Sequence, residues 1–395
     1  LPTNKSPGPD RIPNAFYTIF RKALAPILAA EFNHAHDTGH MPPEMTQGII
    51  SVLYKKGDRN DPRNYRPITL LNSDYKILFR IMTARLNTAA VQFVSTQQNG
   101  FVPGGFIVEN ILLLNQLQAY AETENLDALF VYLDFEKAFD RCSWEYLMRA
   151  IRELGFPDET IPPPPDSPPD TPPTTRPHPF ARYILLAYSQ DHPPTRQMSV
   201  NGYLSSSFPI GSGVAQGCPA SPLLFLFMTE ALTRLIMSNK KIKGIEIDGI
   251  AHKISQYADD STWIALTSDI IHFQADLDIY MLATGARENM LKREATLLGN
   301  LIRNRALAPK GVVKDDNYSL PHVSSRVLGF PMASQLELRT WWDTRYRTVK
   351  ERVARWNSVA AASTAGRMAH LQARYYGSHR YWLFALNLPD AVSTA

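Results

Sequence analysis

The chain has 395 residues, of which 44% are hydrophobic and 20% charged, so it can build a sizeable core, and its length predicts two or three subdomains. Its net charge of +4 permits a polyanionic partner without requiring one. The two cysteines, Cys142 and Cys218, lie far apart and indicate neither a disulfide framework nor a zinc site, which favours a reducing compartment.

No membrane partner is expected. The longest strongly apolar run, PLLFLFM at residues 222–228, is far shorter than the roughly 20 residues that a membrane span needs. No signal peptide precedes the first motif described below. We therefore expect an intracellular protein.

An apolar stretch, ALFVYLDF at residues 128–135, predicts a strand that carries Asp134 near its end. Apolar residues then recur at helical spacing from Trp144 to Leu154, which predicts a helix. A carboxylate at the end of a buried strand is costly unless a cation matches its charge. Magnesium meets this requirement, because it binds one or two carboxylates and completes its coordination with water and phosphate.

The segment 157–179 contains 11 of the 30 prolines and almost no apolar side chains. Proline lacks the amide donor and resists helix interiors and central strands, so a solvated, polyproline-rich loop is predicted. A linker or insertion is the simpler interpretation, and a docking site for a proline-binding module is the alternative. An insertion of this kind costs little when its ends lie close together.

A glycine- and proline-rich loop, GVAQGCPASP at residues 213–222, precedes an apolar helical pattern. Ser221 fits the N-cap of that helix and Pro222 its first turn. The pattern is typical of a well-capped helix after a turn, or of a loop that approaches a nucleotide closely and projects Gln216.

The stretch ISQYADDSTWIAL at residues 254–266 alternates like a hairpin, with Asp259 and Asp260 at its turn. Aspartates favour turns for local reasons, so a surface hairpin is one interpretation. The other places three carboxylates, including Asp134, on adjacent strands, where they could hold two metal ions for phosphoryl transfer.

Near the C-terminus, Trp342, Tyr346 and Trp356 recur at helical spacing while arginines and lysines fill the other positions. Such a helix could pack on one side and follow the phosphates of a nucleic-acid duplex on the other. A solvated basic face without a ligand is the alternative. The cations proposed to contact nucleic acid are Arg345, Lys350, Arg352 and Arg355.

The order of these motifs resembles a reverse transcriptase, specifically one from a non-LTR (LINE-type) retrotransposon. The resemblance spans nearly the whole chain. It rests on NKSPGPDRIPNAFY (4–17), SVLYKKGDRNDPRNYRPITLLNSDYKI (51–77), QQNGFVPGGFIVENI (97–111), LDFEKAFDR (133–141), GVAQGCPASPLLF (213–225), YADD (257–260), ATGARENMLKREATLLG (283–299), RVLGFP (326–331) and the basic helix from residue 341.

The resemblance implies an α+β, right-handed fingers, palm and thumb polymerase with an antiparallel palm sheet and a helical thumb. Residues 1–125 would hold the fingers and N-terminal motifs, 126–300 the palm with its insertion, and 301–395 the end of the palm and the thumb. The implied activity is RNA-directed DNA polymerisation on an RNA template from a DNA primer, with dNTPs and two Mg²⁺ ions, for which Mn²⁺ could substitute. Nicked target DNA and nuclear action are implied by the family, although no compact localisation sequence appears. Nothing in the sequence indicates an oligomeric state.

The resemblance also implies residue roles. Asp134, Asp259 and Asp260 match the metal-binding triad, with the Phe135 carbonyl as a further ligand. Phe139 matches the residue under the nucleotide sugar, where its ring would exclude a 2′-hydroxyl; an ordinary core phenylalanine is the alternative. Three cations match the clamp on the triphosphate, and Gln216 matches the glutamine at the sugar. Within N-x-x-K, Asn289 precedes Lys292, the candidate general acid. The three clamp cations are Lys55, Lys56 and Arg66, and a solvated charged turn is the alternative for the two lysines.

Several positions depart from the family pattern. Ala215 and Gly105 stand where arginines are usual, and each removes a phosphate or template contact. These departures leave two further hypotheses open: a catalytically silent RNA-binding module or decayed element fragment, and an RNA-templated RNA polymerase, against which Phe139 argues.

Overall fold

The structure is a computed structural model. It describes residue 2 and residues 5–162, 168, 172–320, 326–328, 330–331, 341–344, 346–348 and 350–351. Helices and strands both contribute to its core, which confirms the α+β class.

The helices are α1 (Asn14–Ile19), α2 (Arg21–Thr38), α3 (Pro43–Thr46), α4 (Ser73–Phe93), α5 (Ile107–Thr123), α6 (Trp144–Glu153), α7 (Pro179–Leu185), α8 (Ser221–Ser238), α9 (Ile270–Thr284) and α10 (Asn300–Arg303). Short 3₁₀ turns lie at Pro62–Asn64, Thr267–Asp269, Arg305–Leu307 and Lys314–Asp316.

The strands are β1 (Gly48–Tyr54), β2 (Tyr65–Leu71), β3 (Asp127–Leu133), β4 (Glu159–Ile161), β5 (Thr174–Arg176), β6 (Thr195–Val200), β7 (Tyr203–Leu204), β8 (Phe208–Pro209), β9 (Ile245–Ile247), β10 (Ile250–His252), β11 (Ile254–Tyr257), β12 (Asp260–Leu266), β13 (Glu294–Gly299), β14 (Arg326–Val327) and β15 (Phe330–Pro331).

The chain forms two compact units, each built from separated stretches. The first unit contains residues 1–103, 135–235 and 276–288. Its five-stranded sheet has the order β2-β1-β6-β7, with β8 also paired to β6. Strands β1 and β2 are antiparallel, whereas β1 and β6 are parallel. Apolar side chains of α4, α6, α7 and α8 build its core.

The second unit contains residues 104–134, 236–275 and 289–395. Its sheet has the order β11-β12-β3-β13, and every neighbouring pair is antiparallel. Helix α5 packs Ile111, Leu114 and Leu117 into a core shared with Phe130 and Trp342. The antiparallel palm sheet predicted from the sequence is therefore confirmed. The division into fingers, palm and thumb by residue range stays a prediction.

Local sequence signals account for several element boundaries. The predicted helix after Asp134 is α6, and the Ser143 hydroxyl caps it by accepting the Tyr146 amide at 3.3 Å. The predicted hairpin forms from β11 and β12. Helix α8 begins at Ser221, one residue earlier than predicted, and the Ser221 hydroxyl donates to the Ala215 carbonyl at 2.8 Å.

The sequence predicted a loop for the proline-rich segment, but the described ends of the segment form a β-ribbon. Strand β4 pairs with β5 in antiparallel register, and Arg176 contacts Glu159 at 3.0 Å. The ends of the insertion therefore lie side by side, so it adds little closure cost. The sequence did not indicate this pairing, because ETI and TTR are too short to form a recognisable strand pattern.

Helix α8 is long and apolar enough to cross a membrane by length and composition alone, but 67% of it is buried inside the protein. Its side chains Leu224, Phe227 and Leu232 are all buried. Burial of this extent is typical of a core helix.

Candidate active site

Three charged side chains lie side by side at one end of the four-stranded sheet. The register pairs Ser261 with Leu133, and on the other side Glu294 with Tyr132. Continuing the β12–β3 ladder by one step places Asp260 opposite Asp134, and directly opposite residues point to the same face. Lys292 lies in the turn that precedes β13, where its amide donates to the Asn289 carbonyl at 2.9 Å, and its side chain reaches Asp134 from there. We call Asp260, Asp134 and Lys292 the row. The Lys292 ammonium nitrogen lies 2.7 Å from Asp134 Oδ2.

This row is more open to solvent than the sequence predicted. The side chain of Asp134 is 41% exposed and that of Lys292 is 57% exposed. The expectation of a buried carboxylate was therefore wrong, because Asp134 follows β3 instead of lying within it. An ion pair at this exposure contributes only about 0–1 kcal/mol. The row is thus accessible to ligands and is not a stabilising element of the core.

A tight turn between β11 and β12 contains Asp259 and directly precedes Asp260. Tyr257 pairs with Asp260, so Ala258 and Asp259 form a two-residue turn, and Asp260 is the first residue of β12 and not a turn residue as predicted. Ala258 is buried and has a φ of +58°. A non-glycine residue in this region costs about 1 kcal/mol or more, and such strain concentrates at functional sites.

The donor chemistry of these side chains fits a divalent cation. Carboxylate oxygens are the hard ligands that Mg²⁺ and Mn²⁺ prefer. Across the described ranges, however, no group of three His, Cys, Asp or Glu side chains lies close enough together to hold a metal ion. The oxygens are of the right kind, and Mg²⁺ requires only one or two carboxylates, since water and substrate phosphate complete its coordination.

Phe135, the residue after Asp134, forms a backbone bridge in which its own carbonyl takes no part. Phe135 pairs with Glu288 in an isolated antiparallel bridge. The bonds of that bridge run from the Asn289 amide to the Asp134 carbonyl at 2.7 Å and from the Glu136 amide to the Arg287 carbonyl at 2.8 Å. In this geometry the Phe135 carbonyl points away from Glu288. Its predicted role as a metal ligand stays a prediction.

In the first unit, the loop before α8 is fastened to the segment that follows Asp134. The Val214 amide donates to the Phe139 carbonyl and the Gly213 amide to the Cys142 carbonyl, both at 2.8 Å. The Trp144 indole donates to the Gly213 carbonyl at 2.8 Å. These bonds bring two predicted nucleotide contacts, Phe139 and Gln216, onto neighbouring segments.

Phe139 is half-buried and held by other rings. It stacks on Phe225 with centroids 4.7 Å apart and meets Phe101 edge-on at 6.4 Å. One side of the ring packs on the core, and the rest remains accessible, so its role at the nucleotide sugar stays a prediction. A ring fixed in this way is suited to act as a steric wall.

Gln216 is held by its backbone and by its side chain. Its carbonyl accepts the Thr69 amide at 2.8 Å, and its side chain hydrogen-bonds to Asp140. Burial raises the pKa of Asp140, while Lys137 and Gln216 oppose that shift. Because a carboxylate only accepts hydrogen bonds, the Gln216 amide nitrogen faces Asp140 when Asp140 is ionised.

The three predicted phosphate contacts are exposed cations on the β1–β2 hairpin. Arg66 lies on β2 opposite Leu53, while Lys55 and Lys56 follow β1. Neighbouring arginines are engaged elsewhere: Arg59 lies over the Tyr54 ring at 4.6 Å, and Arg63 contacts Asp61 at 2.9 Å.

The sequence profile of one family, "Reverse transcriptase (RNA-dependent DNA polymerase)", matches residues 54–292, more than half of the chain. The chain belongs to the reverse transcriptase family. The matched region contains the row of Asp134, Asp260 and Lys292, as well as Phe139 and Gln216. Its relatives from retrotransposons confirm the non-LTR type that the sequence predicted.

Among these relatives, "Transposon TX1 uncharacterized 149 kDa protein" of Xenopus laevis is 29% identical to the chain over 304 residues, covering 76% of the chain and 21% of that protein. The chain is 26% identical over 285 residues to "RNA-directed DNA polymerase from mobile element jockey" of Drosophila melanogaster, covering 71% and 28%. The chain thus spans roughly a quarter of the length of these relatives.

Similar solved structures include apo telomerase from Candida tropicalis truncated from its C-terminal domain, with a TM-score of 0.39, 13% identity and coverage of 64% of this chain and 50% of that one. Telomerase from Candida tropicalis in complex with a fragment of telomeric RNA has a TM-score of 0.42, 12% identity and coverage of 69% and 44%.

The described part of the basic helix bears on one predicted nucleic-acid contact. Lys350 is exposed, with its ammonium 5.9 Å from the centroid of the Tyr346 ring, and Trp342 packs into the core of the second unit. Arg345, Arg352 and Arg355 lie outside the described residues. Their contact with nucleic acid stays a prediction.

Sequence reasoning missed two residues that support the Ala215–Gln216 segment. Asp140 lies within the quoted motif LDFEKAFDR, so its place beside Phe139 was a usable signal. Tyr188 accepts the Ala215 amide at 3.2 Å. Nothing in the sequence singled it out, because one tyrosine after an apolar helix is typical of core packing.

Proposed function

We propose that this chain extends the 3′-hydroxyl of a DNA primer with dNTPs while copying an RNA template. The observation that carries the proposal is the row of Asp134, Asp260 and Lys292 at one end of the four-stranded sheet, within the region that matches the reverse transcriptase family. Exposed carboxylates beside an exposed ammonium are suited to a reaction in which phosphate charge develops and a proton moves.

Reverse transcriptases generally use divalent metal ions, and the ligands proposed here are Asp134, Asp259, Asp260 and the Phe135 carbonyl. Two Mg²⁺ ions held there, or Mn²⁺ in their place, would supply the Lewis acidity that activates the attacking oxygen and stabilises the leaving oxygen. Binding of the nucleotide is assigned to side chains of the protein itself. Lys55, Lys56 and Arg66 bind the triphosphate, since exposed cations suit phosphate oxygens.

RNA is the partner that membership of the reverse transcriptase family supports best, in the role of template. A DNA primer and, in the cell, nicked target DNA are proposed partners, and nuclear action is the proposed location. The exposed Lys350, together with Arg345, Arg352 and Arg355, would contact the phosphates of the template-primer duplex.

Phe139 is proposed to exclude ribonucleotides through its fixed ring. Phe139→Val should lower the preference for dTTP over UTP by about 10- to 200-fold, because a smaller side chain leaves room for the 2′-hydroxyl. The ratio of kcat/KM for the two nucleotides measures this effect. Loss of the stack on Phe225 would lower the folded fraction, but that loss affects both substrates equally and leaves the ratio unchanged. An unchanged ratio would contradict the assignment.

Lys292 is proposed to protonate the leaving pyrophosphate. Lys292→Gln should lower kcat by about 10²-fold or more while the melting temperature shifts little, because its exposed ion pair with Asp134 contributes little stability. Single-turnover incorporation and thermal unfolding measure the two effects. Lys314→Gln, on a 3₁₀ turn elsewhere in the second unit, is the control. Equal rates in the two variants would exclude the role.

The proposed function is tested by extension of an oligo(dT) primer on poly(A) RNA with dNTPs and Mg²⁺. A ladder of extended DNA products that disappears in Asp259→Asn/Asp260→Asn is the expected result. A folded chain that binds the duplex but adds no nucleotide, with either Mg²⁺ or Mn²⁺, would support the silent RNA-binding module. Preferred incorporation of NTPs would support an RNA polymerase.

A further inference from the structure

A buried polar cluster lies beneath the loop that carries Gln216. The Tyr188 hydroxyl accepts the Ala215 amide at 3.2 Å, and the Ser221 hydroxyl donates to the Ala215 carbonyl at 2.8 Å. The two hydroxyl oxygens are themselves 3.4 Å apart. Both backbone groups of the residue before Gln216 are thus held by side chains.

The backbone on the other side of Gln216 is held as firmly. The Gln216 carbonyl accepts the Thr69 amide at 2.8 Å. Gly217 has a φ of +143°, and a Cβ atom there would lie 2.2 Å from the Thr69 carbonyl oxygen. The peptide units before and after Gln216 are therefore held in one position, and its side chain, which contacts Asp140, is the part of the residue that can reach a ligand.

The hydroxyls that hold this loop are fully enclosed. Tyr188 and Ser221 are each 2% exposed. Burial raises the pKa of Tyr188 well above its usual range, so its hydroxyl stays neutral and keeps its proton. Buried polar groups destabilise a fold unless they are bonded, and a bonded network specifies one conformation. Apolar side chains alone could pack α8 against the core. The two hydroxyls instead bond the backbone of Ala215 and so specify the conformation of the loop.

We infer that Tyr188 and Ser221 are positioning residues that fix the direction from which Gln216 meets the sugar of the incoming nucleotide. This inference rests on the proposed function, because it assigns Gln216 to the nucleotide. It also gives Ser221 a role that differs from helix capping. Neither hydroxyl touches the substrate; each acts through the backbone of Ala215.

The test measures dTTP binding to the complex of the full chain with poly(A) and a dideoxy-terminated oligo(dT) primer, so that no chemistry is needed. Tyr188→Phe leaves the Ala215 amide without its acceptor and should raise the Kd for dTTP about tenfold. Ser221→Ala should act in the same direction. Affinity for the primer-template should not change. Tyr183→Phe, a hydroxyl deletion on α7 whose ring packs on His36, is the matched control and should bind dTTP normally.

A double-mutant cycle separates positioning from general loosening of the fold. In a Gln216→Ala background, Tyr188→Phe should raise the Kd no further, because the side chain that it positions is gone. Additive effects, or an unchanged Kd in Tyr188→Phe alone, would overturn the inference. A wild-type complex that binds dTTP but extends no free primer would refute the proposed polymerase activity and still allow the cycle to be read. A complex that binds no dTTP would refute both.

Discussion

Asp134→Asn should lower primer extension by about 10³-fold or more and leave the protein folded. The substitution keeps the size of the side chain and removes the charge at the centre of the row formed with Asp260 and Lys292. Losing one electrostatic group at a reacting centre typically costs 10²–10³-fold, and a lost metal ligand adds to that cost. Rapid-quench measurement of single dTTP incorporation gives the rate.

Stability should change little in this variant. Asp134 is 41% exposed, so removing its ion pair costs at most about 1 kcal/mol, and the loss of its proximity to Asp260 offsets part of that. Asp127→Asn is the matched control: Asp127 begins the same strand, and its carboxylate accepts a hydrogen bond from the side-chain amide of Asn300 at 2.8 Å. Near-normal extension by Asp134→Asn, or an equal loss in Asp127→Asn, would show that the row is not the catalytic centre.

The fold could be predicted from the sequence wherever hydrophobic periodicity was strong. The strand before Asp134, helix α6 and the β11–β12 hairpin all appear close to their predicted limits. Pairings between distant segments could not be predicted this way. The parallel pairing of β1 with β6 joins residues about 150 positions apart, and its register depends on packing that no local pattern contains.

For the candidate site, the sequence predicted the identity of several residues but not their burial or their contacts. The three aspartates were identified by their position at strand ends and by resemblance, and the register places Asp260 opposite Asp134. The degree of burial was wrong, because a sequence does not tell whether a carboxylate lies inside a strand or one residue beyond it. Lys292 was named as an acid, yet its contact with Asp134 required the pairing of β13 with β3. Tyr188 acts from a buried position through the backbone of Ala215, a relation that no motif expresses.

Gly217→Ala should abolish most of the activity, by about 10²-fold or more, and also destabilise the first unit. An added Cβ would lie 2.2 Å from the Thr69 carbonyl oxygen, which belongs to β2 and cannot move without disturbing the β1–β2 pairing. Overpacking of this kind costs about 1–3 kcal/mol, and a φ of +143° adds strain for any residue with a side chain. The loop should therefore shift and carry Gln216 with it, and displacements near 1 Å can cost about 10²-fold in rate.

Gly202→Ala is the control, because it introduces backbone strain without a steric clash. Gly202 has a φ of +86° at the β6–β7 turn, and a Cβ there would meet nothing within 4 Å. It should lose about 1 kcal/mol of stability and retain normal extension. Kd for dTTP, extension rate and urea unfolding are measured for both variants. If Gly217→Ala loses stability but binds dTTP as tightly as Gly202→Ala does, the loop does not position the nucleotide, and the close approach to Thr69 serves packing alone.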